Sequence, residues 1–329
     1  MARHAGQLPQ SPVRHVGQLL EVSASSQDAG GLNRGTESLM KIGVVFPQTE
    51  IGADPAAIRA YASGAQKLGF AHLLAYDHVL GADPAVHLGW DGPYDVHTTF
   101  HEPMVLFGYL AAVTSMELVT GIVILPQRQT ALVAKQAAEV DILTRGNFRL
   151  GVGLGWNAVE YEALGKQFST RGVRLTEQVM LLRRLWTETT VTHEGEYEHV
   201  TGAGLAPAPV QRPIPVWFGA SSEPALRRAG QLADGWFPQA PPGPKLDWAR
   251  SIVEKSARES GRDPATLGME GRVSWKPGQT QQLVSQVNQW REVGATHVSV
   301  NTMGAGLGSV EAHLMTLHEV AEGLGLKSR

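Results

Sequence analysis

One pattern governs the chain from residue 41 onward: a short β-branched run, a helical stretch, then another run, repeated to the end. KIGVVF (41–46), AHLLAY (71–76), ELVTGIVIL (117–125), FRLGVGL (148–154), PVWFGA (215–220), GWFPQ (235–239), GMEGRVSW (268–275) and THVSVN (296–301) read as eight strands. Helices separate most of them. Asp54-Pro55 supplies an N-cap and a proline at the first helical position; Ile58, Tyr61, Ala62, Ala65 and Leu68 then share one face, and Gly69 closes the helix. Further helices are expected through Leu106, Leu110 and Val113, and over about 131–143, 172–187, 223–233, 244–260, 279–293 and 310–323, with a small hairpin at 189–200. Strands that alternate with helices demand a parallel sheet. Eight such units match the (β/α)8 TIM barrel, whose usual length is roughly 250 residues. A doubly wound sheet is the rival. GVGLGW (151–156) follows a strand, but its glycines alternate, so it fails the G-x-G-x-x-G spacing, and no P-loop is present.

A barrel places its chemistry at the C-terminal ends of the strands. Asp77 and His78 follow the second strand, Gln127 and Arg128 the third, Gly155, Trp156 and Asn157 the fourth. Gly219, Ala220, Ser221 and Ser222 follow the fifth, and Asn301 with GAGLG (304–308) the eighth. Composition removes several chemistries. The chain has no cysteine, so disulfides, thiolate metal sites, iron–sulfur clusters and a cysteine nucleophile are excluded together, and a reducing cytoplasm fits. A net charge of −3 argues against a nucleic-acid or anionic-membrane surface. No apolar run approaches the ~18 residues that span a bilayer. Residues 1–39, rich in Gly, Ser, Gln and Arg without apolar period, read as a poorly ordered leader ahead of a single domain at 40–329.

Four stretches resemble the luciferase-like monooxygenase family, in its branch that uses coenzyme F420, a deazaflavin. They are KIGVVFPQ (41–48), LLAYDHVLG (73–81), the long run TGIVILPQ through YEALG (120–165), and PVWFGASSEPALRRAGQLADGWFP (215–238). The resemblance implies a bacterial luciferase-like barrel with insertion loops at its C-terminal face. It implies an oxidoreductase that passes hydride between coenzyme F420 and a small organic substrate, and that assembles as a homodimer. The alternatives on the same scaffold are an FMNH2-dependent monooxygenase and a catalytically silent flavin or deazaflavin carrier.

Residue by residue, the resemblance sets Asp77 and His78 against the cofactor, with His78 as general acid/base and Asp77 orienting it or touching the ring. Imidazole suits that role because its ordinary pKa lies near neutrality; the pair also suits a plain polar strand end. The family often places a non-prolyl cis peptide where Gly121-Ile122 stands, beneath one face of the ring. Gly151, Gly153 and Gly155 alternate along a strand, which leaves one face bare. That bareness suits either close approach of Leu154-Gly155 to a flat ring or a thinly packed barrel layer. Asn157 is an N-cap or a polar cofactor contact. Gly219 to Ser222 open a helix whose free amides and two hydroxyls suit a phosphate, or serve only as a cap. The GAGLG loop remains a substrate or alternative anion site. The loop 81–103, with His87, Trp90, Tyr94, His97, Phe100 and His101, is read as a lid. Its histidines lack a matching carboxylate signature, so no metal is expected. Arg227 and Arg228 are read mainly as a solvated helix face.

Overall fold

The computed structural model describes residues 40–328; the expected leader lies outside the described residues. The strands, in chain order, are β1 (Lys41–Val45), β2 (His72–Ala75), β3 (Glu117–Thr120), β4 (Val123–Ile124), β5 (Phe148–Gly153), β6 (Val191–Glu194), β7 (His199–Ala203), β8 (Val216–Ala220), β9 (Gly235–Pro238), β10 (Gly268–Ser274) and β11 (His297–Asn301). β6 and β7 form the expected antiparallel hairpin. The rest pair in parallel in the order β1, β2, β3, β5, β8, β9, β10, β11, and β11 returns to β1 with Val44 opposite Val300. That closure makes an eight-stranded TIM barrel, with β4 as the continuation of β3 against β5.

The helices are α1 (Pro55–Lys67), α2 (Pro103–Leu110), α3 (Thr130–Leu143), α4 (Ala158–Ala163), α5 (Arg171–Thr187), α6 (Glu223–Leu232), α7 (Pro244–Glu259), α8 (Thr280–Glu292) and α9 (Val310–Leu324). Local chemistry explains their starts. Asp54 accepts from the Ala56 amide at 2.9 Å ahead of Pro55, and α1 buries Ile58, Tyr61, Ala62 and Ala65 as the spacing predicts. Leu68 follows as the C-cap. Between strands and helices lies one continuous apolar layer that includes Phe107, Phe148, Trp186 and Trp290.

Two expectations need correction. The run 117–125 is not one strand: it breaks after Thr120, and the Gly121–Ile122 peptide bond is cis, as the resemblance implies. Val113 lies beyond α2, whose last turn closes when the Ala111 amide bonds the Phe107 carbonyl.

The inside of the barrel is layered. Its floor is ionic, drawn from the first residues of the strands. Glu270 accepts from His72 Nε2 at 3.0 Å, Ser299 Oγ at 2.6 Å and Arg149 Nη1 at 2.8 Å, while Arg149 Nε reaches Glu117 at 3.0 Å. The Arg149 guanidinium lies 4.1 Å from the Trp217 ring. Burial alone would push the Glu270 carboxyl up, but His72 and Arg149 outweigh it and hold it well below the usual range. Above the floor Val45, Leu74, Val119, Trp217 and Phe237 form an inner apolar cluster. Such a floor leaves the C-terminal mouth as the open end.

Candidate active site

A cavity of about 490 Å³ opens at that mouth, within the usual range of roughly 300–1,000 Å³ for small-molecule sites. Asp77, His78, Gly121, Ile122, Leu154, Gly155, Gly219, Ala220, Ser221 and Ser222 all line it. Asn157 is not among the lining residues. It is buried, its Oδ1 accepts from the amides of Val159 and Glu160 at 3.1 and 3.2 Å, and its Nδ2 donates to the Leu80 carbonyl at 3.2 Å. The capping reading of Asn157 therefore accounts for all it touches.

His78 lies at the end of β2 inside an aromatic box. Its ring centre is 4.8 Å from Phe100, 5.3 Å from Tyr94 and 5.4 Å from Trp156. Nδ1 meets Glu160 Oε2 at 3.4 Å, and among the described residues Nε2 has no hydrogen-bond partner. Glu160 is fully buried. It also accepts from Gln127 Nε2 at 3.0 Å, from the Leu80 amide at 3.2 Å and from the Val79 amide. Burial would push this carboxyl up; the hydrogen bonds from His78, Gln127 and Val79 win and hold it below the ordinary value. An ionised carboxylate only accepts, so Nδ1 carries the hydrogen, and in the neutral ring Nε2 is the nitrogen with a free lone pair.

Asp77, by contrast, is turned away from the imidazole. Its Oδ1 accepts from Arg128 Nη2 at 2.6 Å and its Oδ2 from the Ile124 amide at 3.0 Å. Burial raises its pKa, with Arg128 pulling the other way. Arg128 also grips Glu102 at 3.0 Å. Asp77 is thus a strut between β2, β4 and α2, and Glu160 is the carboxylate that touches His78. The sequence signal for Glu160 was weak: a carboxylate three residues after an N-cap is ordinary capping chemistry, and its other partners come from 33 and 80 or more residues away.

The bare face of β5 is filled by protein. A Cβ at Gly151 would sit 1.9 Å from the Thr120 carbonyl oxygen, and one at Gly153 would sit 2.6 Å from Ile122 Cδ1. These glycines admit the displaced β3–β4 backbone, and that displacement carries Ile122 into the cavity wall. Gly155, at φ +65°, has Ile124 where its side chain would be.

Across the mouth, three strands round from β2, β8 delivers Gly219 to Ser222 into α6. Neither serine hydroxyl is used as a cap, and the first intrahelical amide bond is Leu226 to Ser222, so among the described residues the amides of Glu223 and Ala225 remain available. Arg171, at the start of α5, lines the same cavity. Arg227 pairs with Glu223 on the surface at 2.6 Å, and Arg228 donates to Thr176 at 2.9 Å; neither lines the cavity. The GAGLG loop is already served by protein: the Gly304 amide donates to Glu50 at 2.6 Å, so a carboxylate takes the place an anion would need. Of the proposed lid, Tyr94 reaches the cavity, and Trp90 packs 5.6 Å from Trp156. His101 meets the Gly52 carbonyl at 3.3 Å. Among the described residues no group of three or more His, Asp or Glu side chains could hold a metal ion, and no helix is long and apolar enough to cross a membrane.

Comparison with known proteins gives four findings. The family described as luciferase-like monooxygenase matches residues 39–306. A protein of uncharacterised function from Mycobacterium bovis is 33% identical over 229 residues, 68% of this chain and 77% of that one. An F420-dependent glucose-6-phosphate dehydrogenase from Segniliparus rotundus is 29% identical over 234 residues, 68% of this chain and 66% of its own. Among solved structures, an F420-dependent secondary alcohol dehydrogenase superposes with a TM-score of 0.70 at 17% identity, covering 87% of this chain and 99% of its own. At that identity the likeness is one of fold.

Proposed function

The chain belongs to the luciferase-like monooxygenase family, and from that premise we propose that it is an oxidoreductase that moves hydride between coenzyme F420 and a small organic substrate. One observation carries the reading: a single cavity joins the amides and hydroxyls at the start of α6 to the His78 imidazole, and among the described residues neither those groups nor Nε2 has a hydrogen-bond partner. The first suits a phosphorylated side chain, the second a proton transfer beside a reducible ring. The relative from Segniliparus rotundus favours the deazaflavin.

The residues present fit such a group. The amides of Glu223 and Ala225, with Ser221, Ser222 and Arg171, would hold its phosphate, and Ile122 with Leu154 and Gly155 would back its ring. When bound, the deazaflavin supplies hydride transfer at its C5. The protein supplies position and a proton. Glu160 keeps hydrogen on His78 Nδ1, so Nε2 takes a proton from a substrate hydroxyl in oxidation and returns one in reduction. Tyr94, Phe100 and Trp156 fix the imidazole plane and keep water from it. A homodimer in the cytoplasm is part of the same reading.

The test is fluorescence titration of the full chain with oxidised coenzyme F420 and with FMN. Micromolar or tighter binding of the deazaflavin, with FMN at least tenfold weaker, supports the proposal. The reverse preference moves the protein to FMNH2-dependent monooxygenation. Absence of binding to both overturns the cofactor reading.

A further inference from the structure

The cavity wall carries more positive charge than the protein itself neutralises. Four ionisable side chains other than His78 and the tyrosines line it: Asp77, Glu270, Arg171 and Arg272. Both acids are spent. Asp77 is bound to Arg128, and both oxygens of Glu270 are taken by His72, Ser299 and Arg149. Neither arginine has a carboxylate partner among the described residues. Arg171 stacks on Phe168 at 3.7 Å and belongs with the α6 end of the cavity.

Arg272 is different. It stands on β10 two residues above Glu270, pointing inward by strand alternation. Its Nη1 donates to the Tyr76 hydroxyl at 3.1 Å, across the barrel from its own strand. Tyr76 and His78 are likewise two residues apart at the end of β2 and share the cavity side. The Tyr76 hydroxyl accepts from Arg272, so its own hydrogen is free to donate. A guanidinium fork and a phenol hydrogen therefore line the same cavity as His78 and the two rings packed on it, Tyr94 and Trp156.

We propose that Arg272 and Tyr76 form the seat for a substrate carboxylate, so that the substrate is a small organic acid with an apolar or aromatic body against Tyr94 and Trp156. A planar carboxylate matches the guanidinium fork in two parallel hydrogen bonds, with the phenol as a third donor. The assignment deepens the oxidoreductase reading above and rests on it for the word substrate, but the seat itself is testable without turnover.

The experiment is calorimetric titration of the full chain with benzoate, benzamide and phenyl phosphate, each without and with saturating coenzyme F420. The wild type is expected to bind benzoate at least tenfold more tightly than benzamide. Arg272→Gln should weaken benzoate at least tenfold and leave benzamide within twofold. Arg272→Lys, which keeps the charge and loses the fork, should fall between, and serves if the glutamine variant does not fold. Tyr76→Phe should weaken benzoate severalfold. Binding of coenzyme F420 to Arg272→Gln should stay within about threefold of wild type. Equal binding of benzoate and benzamide overturns the proposal. So does tighter binding of phenyl phosphate than of benzoate, or a loss at Arg272→Gln that falls on the cofactor instead. If neither cofactor binds the wild type but the benzoate preference holds, the redox reading fails and the acid seat stands.

Discussion

Replacing Glu160 by glutamine isolates what that carboxylate does for His78. The change keeps shape and removes charge. In the native protein Glu160 accepts four hydrogen bonds, from Val79, Leu80, Gln127 and His78. The new amide oxygen can still serve the Val79 and Leu80 amides. Its NH2 group must face Gln127 and His78, both of which were donors. Gln127 can turn, since its Oε1 is buried without a partner and becomes an acceptor for the new NH2. The three closer bonds, from Val79, Leu80 and Gln127, thus lose their charge assistance at about 1 kcal/mol each, the 3.4 Å contact to His78 adding little, and this is offset by about 1 kcal/mol for no longer burying a charge. The net loss is roughly 2 kcal/mol, or about 4 °C in melting temperature for a domain of this size. His78 has a single response available: Nδ1 accepts from the new NH2 and the ring hydrogen moves to Nε2. Long-range nitrogen NMR on histidine-labelled protein above neutral pH reads the tautomer directly. The wild type should show hydrogen on Nδ1 and Glu160→Gln hydrogen on Nε2. A wild-type His78 protonated on Nε2 would refute the reasoning, as would a variant with an unchanged tautomer.

His78→Ala should keep cofactor affinity within about threefold and lower turnover by roughly 10²–10⁴-fold, measured by stopped-flow absorbance. In chemical denaturation Gly151→Ala should be far worse than Gly153→Ala: the first Cβ meets the Thr120 carbonyl oxygen at 1.9 Å, the second the movable end of Ile122 at 2.6 Å. We expect about 4 kcal/mol or no folding for the first and about 1–2 kcal/mol for the second. Burial, helped by Arg149, lowers the His297 pKa from its ordinary value of 6.5 to about 2. The unfolded chain therefore takes up a proton below pH 6.5 that the folded one refuses, and stability falls as pH drops from there. Glu270, depressed below its ordinary 4.5, adds a second loss at lower pH. Urea midpoints for the wild type should decline below pH 6.5, and His297→Gln should flatten the limb between about 6.5 and 4.5; an unchanged limb would remove His297 from the account.

The barrel was legible because its information is local and repeated: β-branched runs, caps such as Asp54-Pro55, and turn glycines. The break inside 117–125 was not visible as a pattern, since Ile122 and Val123 continue an apolar run on either reading; only the family resemblance pointed to it. The alternating glycines were visible, but what fills their faces, a carbonyl from β3 and the Ile122 side chain, depends on a neighbouring strand. Asp77 and Glu160 show the same limit. Asp77 stands at a strand end and Glu160 in the first turn of a helix, but the partners of both are fixed by long-range donors, so which one touches His78 could not be read. Arg272 lay within reach of strand alternation; its lack of a carboxylate partner did not.

The two ends of the loop over the cavity are held by different acids. At its start, the Val79 and Leu80 amides sit on Glu160. At its end, Glu102 caps α2 and holds Arg128, which in turn holds Asp77. Partway in, the Val96 amide bonds the Ala82 carbonyl at 2.9 Å and draws the roots together. A strap buckled at both ends cannot swing open like a door. Ligand exchange must then come from reshaping of residues 83–95 between the buckles, and since one buckle is the carboxylate that sets the His78 tautomer, a substrate that forces the strap wide would also disarm the base beneath it.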